Sequence, residues 1–291
     1  MTALIALLAV TAVWGVTFVQ VKDAVAIYPL FAFLAVRFVL ATCVLAGPGA
    51  RRVHSLRRRG AGAAAALGLL LAAGYALQTA GLERTTVSST GFITGLYVVL
   101  TPLIALAIFR STIGVSAWIG VALATVGLAM LTGVHADSAT GDLLVLAGAA
   151  VYSLQIVLME RFAPQYDALA FTLVEMAAAA AGLLVVALAR GDLSVPHGWT
   201  VWAALLVTGI FASALAYLVQ TWAQRRTSAT RTALAFTMEP VFAALFGYTL
   251  AGDRLGTLGW CGCAVIMTGI VLAEPAAAST LANLVRRRAA T

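Results

Sequence analysis

Of 291 residues only 10% are charged, so an ionisable side chain inside an apolar stretch stands out. Arg37, Glu175 and Glu239 are three such residues. Glu239 precedes Pro240, whose ring nitrogen carries no proton and leaves the carbonyl of Phe236 without its helical donor. A carboxylate beside freed backbone polarity, inside an apolar run, is suited to binding a cationic group or carrying a proton. Pro102 repeats the interruption without the acid, with Thr101 in the place of Glu239. Pro102 and Pro240 are therefore the expected helix breaks. Arg37 and Glu175 each lie eight residues past the start of their apolar run, about 12 Å in, and enter from opposite faces. Partial pairing near the membrane midplane, with a structural role, is the expectation for these two.

Uncharged polar residues recur at helical spacing. Thr90, Thr94, Tyr97 and Thr101 fall at i, i+4, i+7 and i+11, one face of a helix. Ser228, Thr232, Ala235 and Glu239 occupy the equivalent face of a later segment, and Ser213, Tyr217, Gln220 and Gln224 form a third stripe. Tyr75 with Gln78, Trp14 with Thr17, and Tyr152 with Gln155 are shorter versions. Such groups either hydrogen-bond between packed helices or line a cavity. As cavity residues, the candidates to bind substrate are Trp14, Thr17, Tyr75, Gln78, Thr94, Tyr97, Tyr152, Gln155, Tyr217, Gln220 and Glu239. Trp199 and Trp202 stand near the end of an apolar run, where aromatic side chains anchor at the membrane surface. Cys43, Cys261 and Cys263 show no pairing pattern, and His54, His135 and His197 are scattered in polar breaks. No catalytic centre, metal site or cofactor is expected.

The elements that must hold these residues follow from composition. Apolar and aromatic residues make up 62% of the chain, and its mean hydropathy is +1.00. A soluble domain is about a quarter charged, so a soluble enzyme, a nucleic-acid module and a disulfide scaffold are excluded. Ten apolar segments approach the ~20 residues needed to cross a bilayer: 2–20, 29–47, 61–81, 88–109, 113–131, 142–160, 167–189, 199–222, 229–250 and 256–274. With the amino terminus inside, thirteen of the eighteen Lys and Arg residues fall in cytoplasmic breaks or the tail. Lys22, Arg84, Arg190 and Arg254 lie opposite, which is the bias of the positive-inside rule. Both termini are expected in the cytoplasm. The net charge of +7 thus reports topology and contact with lipid headgroups, not nucleic acid.

An offset of 142 residues superposes Tyr75, Gln78, Thr79, Arg84 and Thr85 on Tyr217, Gln220, Thr221, Arg226 and Thr227. It also superposes Trp118, Gly120 and Gly127 on Trp260, Gly262 and Gly269, although small-residue identities come cheaply in apolar sequence. An offset of 138 places Trp14 on Tyr152, Arg37 on Glu175 and Pro102 on Pro240. Each repeat then holds five spans. Because five is odd, the second repeat inserts upside down relative to the first, as in many secondary transporters. The expected fold is an all-α integral membrane protein, ten transmembrane helices as two inverted five-helix repeats around a central cavity. Residues 1–138 form the first repeat, 139–274 the second, and 275–291 a basic tail. No Gly-x-x-x-x-Gly-Lys-Ser/Thr phosphate loop occurs.

The order of these features resembles the EamA family of the drug/metabolite transporter superfamily. The resemblance rests on the ten spans, the five-span repeat, Trp14-Gly15, Arg37-Phe38, Glu239-Pro240-Val241 and Gly252-Asp253-Arg254-Leu255. It covers about residues 3 to 274. The first repeat departs from the pattern at Phe109-Arg110-Ser111-Thr112, where an acidic Gly-Glu/Asp-Arg turn is common. The resemblance implies export or exchange of small metabolites, often amino acids, through a cavity ringed by spans one, three, four, six, eight and nine. Those are the spans that carry the polar stripes. The expected function is a secondary transporter, an exporter, of a small amphipathic metabolite in the cytoplasmic (inner) membrane, with protons as a further partner and a monomeric or homodimeric state. A proton-independent facilitator, a channel, an intramembrane enzyme and a structural membrane subunit are the competing classes. The sole lysine, Lys22, lies in a loop and no histidine falls within a span, which disfavours the enzyme.

Overall fold

In a medium without water, each backbone N–H and C=O must be satisfied within the chain, so apolar runs of this length fold as helices. The computed structural model describes residues 2–132, 138–246 and 256–273, and among these all regular structure is helical. Helix α1 spans Thr2–Val25 and α2 Leu30–Gly49; a 3₁₀ turn over Ala50–Leu56 leads into α3, Arg57–Leu82. Next come α4 (Val87–Gly95) and α5 (Tyr97–Phe109), one run interrupted at Leu96, and then α6 (Val115–Thr132). Beyond residues 133–137, α7 spans Ala139–Phe162 and α8 Ala168–Arg190. Helix α9 (Trp199–Leu206) continues through a π-helical stretch, Val207–Leu215, into α10 (Ala216–Gln224). Helices α11 (Ala229–Phe236) and α12 (Met238–Phe246) form a second interrupted run, and α13 spans Thr257–Ala273. All ten apolar segments of the sequence are therefore helical where described. The turn at Gly252–Leu255, His135 and the tail 275–291 lie outside the described residues.

Among the described residues five stretches are long and apolar enough to cross a membrane: Leu30–Leu82, Ser89–Phe109, Ala139–Gln165, Ala168–Arg190 and Trp199–Gln224. The first is 53 residues long and holds both α2 and α3. Thr2–Thr17, Val115–Leu131 and Thr257–Ala273 are shorter apolar helices. Polar caps start several helices. The Thr86 and Ser228 side chains accept from the N–H groups of Ser89 and Arg231 at the heads of α4 and α11. Asp167 accepts from Ala170 at the head of α8. These caps satisfy N–H groups that the first turn cannot pair internally.

Packing joins distant parts of the chain. Helix α2 lies on α8, α3 on α7 and α8, α1 along α10 to α12, and α6 on α13. The last pair meets backbone to backbone: a methyl group on Gly120 would lie 2.7 Å from the Gly269 carbonyl oxygen, and one on Gly127 2.7 Å from that of Gly262. Such close approach of small residues supplies the dispersion contacts that hold helices together in lipid. Val115, Val126, Leu258 and Val271 point outward from this pair as exposed apolar side chains.

The interruptions correct the expected breaks at Pro102 and Pro240. Pro102 is inside α5, and Pro240 occupies the first turn of α12. A proline there removes an N–H that had no intrahelical partner in any case. The chain leaves helical order earlier, at Leu96 and Thr237.

Candidate functional site

The interrupted runs and the long helices converge on a buried cavity between them. It offers about 70 Å³ to the centres of water-sized molecules, several times the ~10–15 Å³ that one water requires. All eleven residues named from the sequence line it. Trp14 and Thr17 come from α1, Tyr75 and Gln78 from α3, Thr94 and Tyr97 from either side of the Leu96 interruption. Tyr152 and Gln155 come from α7, Tyr217 and Gln220 from α10, and Glu239 from the first turn of α12. Phe236 and Glu239 flank the second interruption, at Thr237, as Thr94 and Tyr97 flank the first. Helices α6 and α13 contribute no lining residue.

Hydrogen bonds hold the polar liners in place, several of them to one another. The Trp14 indole donates to the carbonyl of Ala212 at 2.8 Å, inside the π-helical stretch, and its ring packs edge-on against Phe236. Gln78 donates to the Thr94 hydroxyl at 2.9 Å and accepts from the Tyr152 hydroxyl at 3.1 Å. Tyr217 donates to the Tyr75 hydroxyl at 3.1 Å. Gln220 reaches Gln155 at 3.1 Å and Gln224 at 2.9 Å, and Gln224 donates to the Ile156 carbonyl at 2.8 Å. Tyr97 points its hydroxyl at Glu239 Oε2, but at 3.5 Å the contact is long. Glu239 is 8% exposed, and it sits in the first turn of α12, the end of a helix that favours negative charge.

Arg37 also lines the cavity, which the sequence reading did not assign to it. The expected pairing of Arg37 with Glu175 is not formed. Instead Arg37 Nε donates to Ser213 Oγ at 2.8 Å and Nη2 to the Tyr75 hydroxyl at 3.1 Å. Its guanidinium carbon sits 4.5 Å from the Tyr75 ring centroid. Glu175 faces the other way, accepting from Gln155 at 2.8 Å, with its second oxygen unpartnered. The π-helical stretch presents Ser213, and a methyl group on Gly209 within it would lie only 3.1 Å from the Arg37 carbonyl oxygen, so glycine there lets α2 pack closely. Among the described residues the ion pairs are Arg52–Asp167, Arg84–Glu83 and Arg190–Asp192, all partly exposed and none at the cavity.

The remaining members of the polar stripes take structural places. Thr90 and Thr101 are buried without reaching the cavity, and Ser228 is spent as a cap. Thr79, Val21, Leu82, Ile156 and Phe236 complete the wall. Thr79 adjoins Gln78 and matches Thr221 at the 142-residue offset; the apolar four carry no signal that separates them from ordinary core. Outside the cavity, in the turn after α3, burial pushes the Glu83 carboxyl upward from its usual range, against the pull of Arg84 and Arg190. No group of three or more His, Cys, Asp or Glu placed to hold a metal occurs among the described residues.

Apolar helices around a buried polar cavity define a multi-pass α-helical membrane protein. Its sequence carries a more specific signature. The chain belongs to the EamA-like transporter family, whose sequence profile matches residues 1–133 and again 139–273. It is 29% identical over 266 residues to an uncharacterized transporter of Archaeoglobus fulgidus, covering 90% of this chain and 82% of the relative. It is 28% identical to the uncharacterized inner membrane transporter YedA of Escherichia coli strain K12, over 92% of this chain and 89% of that one. With the uncharacterized transporter YyaM of Bacillus subtilis it shares 26% identity over 89% of each. A solved crystal structure has the same fold, with a TM-score of 0.79 at 19% identity over 96% of this chain and 98% of its own. Family and relatives place the protein among transporters.

Proposed function

We propose that the protein is a secondary transporter that exports a small amphipathic metabolite, an amino acid or related compound, by alternating access. In this reading ten spans cross the cytoplasmic (inner) membrane as two inverted repeats, 1–138 and 139–274, with both termini in the cytoplasm. The eleven liners contact substrate, and Glu239 takes its amine or a proton.

The observation that carries the reading is where repeat partners meet. Tyr75 and Tyr217, equivalent at the 142-residue offset, touch through their hydroxyls. A residue that touches its own equivalent lies at a two-fold axis. The glycines behave the same way: Gly120 meets Gly269 and Gly127 meets Gly262, while the offset equates Gly120 with Gly262 and Gly127 with Gly269. A cavity on the axis of an inverted repeat is where rocking of one half against the other exposes a site alternately to each side. The charge bias along the sequence supports the orientation, and the inner-membrane relative supports the location.

The test is counterflow. Proteoliposomes preloaded with a millimolar mixture of unlabelled amino acids should transiently accumulate a labelled tracer of one of them, and external competitor should saturate the uptake. Passive, non-saturable conductance would identify a channel, and the absence of exchange with every member would overturn the amino-acid reading.

A further inference from the structure

The cavity carries two opposite formal charges, and among the described residues neither forms an ion pair. Arg37 is 3% exposed, yet its bonded partners, Ser213 and Tyr75, are hydroxyls, and its ring contacts are with Phe38 and Tyr75. These groups fix the guanidinium in place without neutralising it. A guanidinium has five N–H donors in a planar fork. Nε and Nη2 each make one bond here, and Nη1 makes none. A buried cation with no counter-charge is costly, and the free end of the fork has the shape that takes a carboxylate through two parallel bonds. Glu239, from the other repeat, lines the same cavity with only the long Tyr97 contact. No side chain joins the two charges.

We infer that Arg37, held by Tyr75 and Ser213, is the anion-binding subsite of the cavity, and that it takes the carboxylate of a zwitterionic ligand whose amine faces Glu239. This rests on the transport reading and sharpens it. The ligand must present both charges at once, so a simple amine, a fatty acid or an amino-acid amide satisfies one wall and leaves the other uncompensated. Val21, Leu82, Ile156 and Phe236 offer the apolar surface for a hydrocarbon side chain.

The probes are four compounds that share a 3-methylbutyl chain: L-leucine, L-leucinamide, 3-methylbutylamine and 4-methylpentanoate. Thermal-shift titrations of the detergent-purified full chain give their relative affinities, since a ligand of the folded state raises its apparent stability. Wild type should bind leucine at least about tenfold more tightly than each of the other three, because each leaves a buried charged group unpaired. In Arg37→Gln, leucine and leucinamide should converge to within about twofold, with 3-methylbutylamine unchanged. If Arg37→Gln does not fold, Arg37→Lys carries the comparison. It keeps the charge without the fork, and should weaken leucine at least about fivefold while leaving 3-methylbutylamine unchanged. A purely structural arginine would weaken all four alike. Equal affinities for acid and amide in wild type, survival of the preference in Arg37→Gln, or no response to any of the four would overturn the inference. Counterflow of other solutes would in those cases still leave the transporter reading standing.

Discussion

Glu239→Gln should cut leucine counterflow at neutral pH about a hundredfold and flatten its pH profile. Glu239 is a carboxylate on the cavity wall, nearly buried, and it forms no ion pair among the described residues. Glutamine keeps its size and its contact with Tyr97 but not its charge. Losing one partner of a buried, hydrogen-bonded charge pair costs about 2–5 kcal/mol, and about 2.8 kcal/mol, within that range, is about a hundredfold. A carboxyl that exchanges a proton during the cycle makes transport follow its ionisation, whereas an amide has nothing to titrate. The measurement is the initial rate of tracer uptake against pH in wild-type and variant proteoliposomes of equal protein content. An unchanged rate and profile would remove Glu239 from the mechanism.

The second large effect is structural and opposite in sign at two positions on one helix. On α3, a methyl group at Gly68 would fall on the carbonyl oxygen of Glu175 and lie 2.9 Å from the Ala178 methyl, so α3 and α8 cannot keep their spacing. At Gly62 nothing lies within 4 Å. Gly68→Ala should therefore destabilise by about 1–3 kcal/mol through overpacking. Gly62→Ala should stabilise by about 0.5–1 kcal/mol, because alanine is the better helix former. Thermal unfolding in detergent separates the two, with the Gly68 variant melting below wild type and the Gly62 variant above it. A Gly68→Ala protein as stable as wild type would mean that α3 and α8 are not packed this closely.

The polar stripes were legible because period and composition alone fix which helix faces are polar, and in an apolar chain few positions compete. Tyr75, Gln78, Tyr217 and Gln220 could be read this way and do share one cavity. Direction was harder. Depth places Arg37 and Glu175 at similar levels, but depth does not fix which neighbour each side chain turns toward. That choice depends on the π-helical stretch presenting Ser213 and on Gln155 drawing Glu175 away. The breaks were displaced for a similar reason. Proline announces a missing donor, but a chain that re-starts its helix just upstream no longer needs that donor, so the interruption moves to Thr237. The glycine matches of segments five and ten, weak as sequence evidence, acquire a physical cause in the backbone contact of α6 with α13.

The central claim is that one cavity opens to each side of the membrane in turn. The direct measurement is labelling of Thr94→Cys, in a background with Cys43, Cys261 and Cys263 replaced by serine. A membrane-impermeant maleimide is applied to sealed right-side-out and inside-out vesicles that hold a pH gradient. The account predicts labelling from both sides, slowed on both by leucine, with the gradient intact. Labelling from one side only under every condition would contradict it.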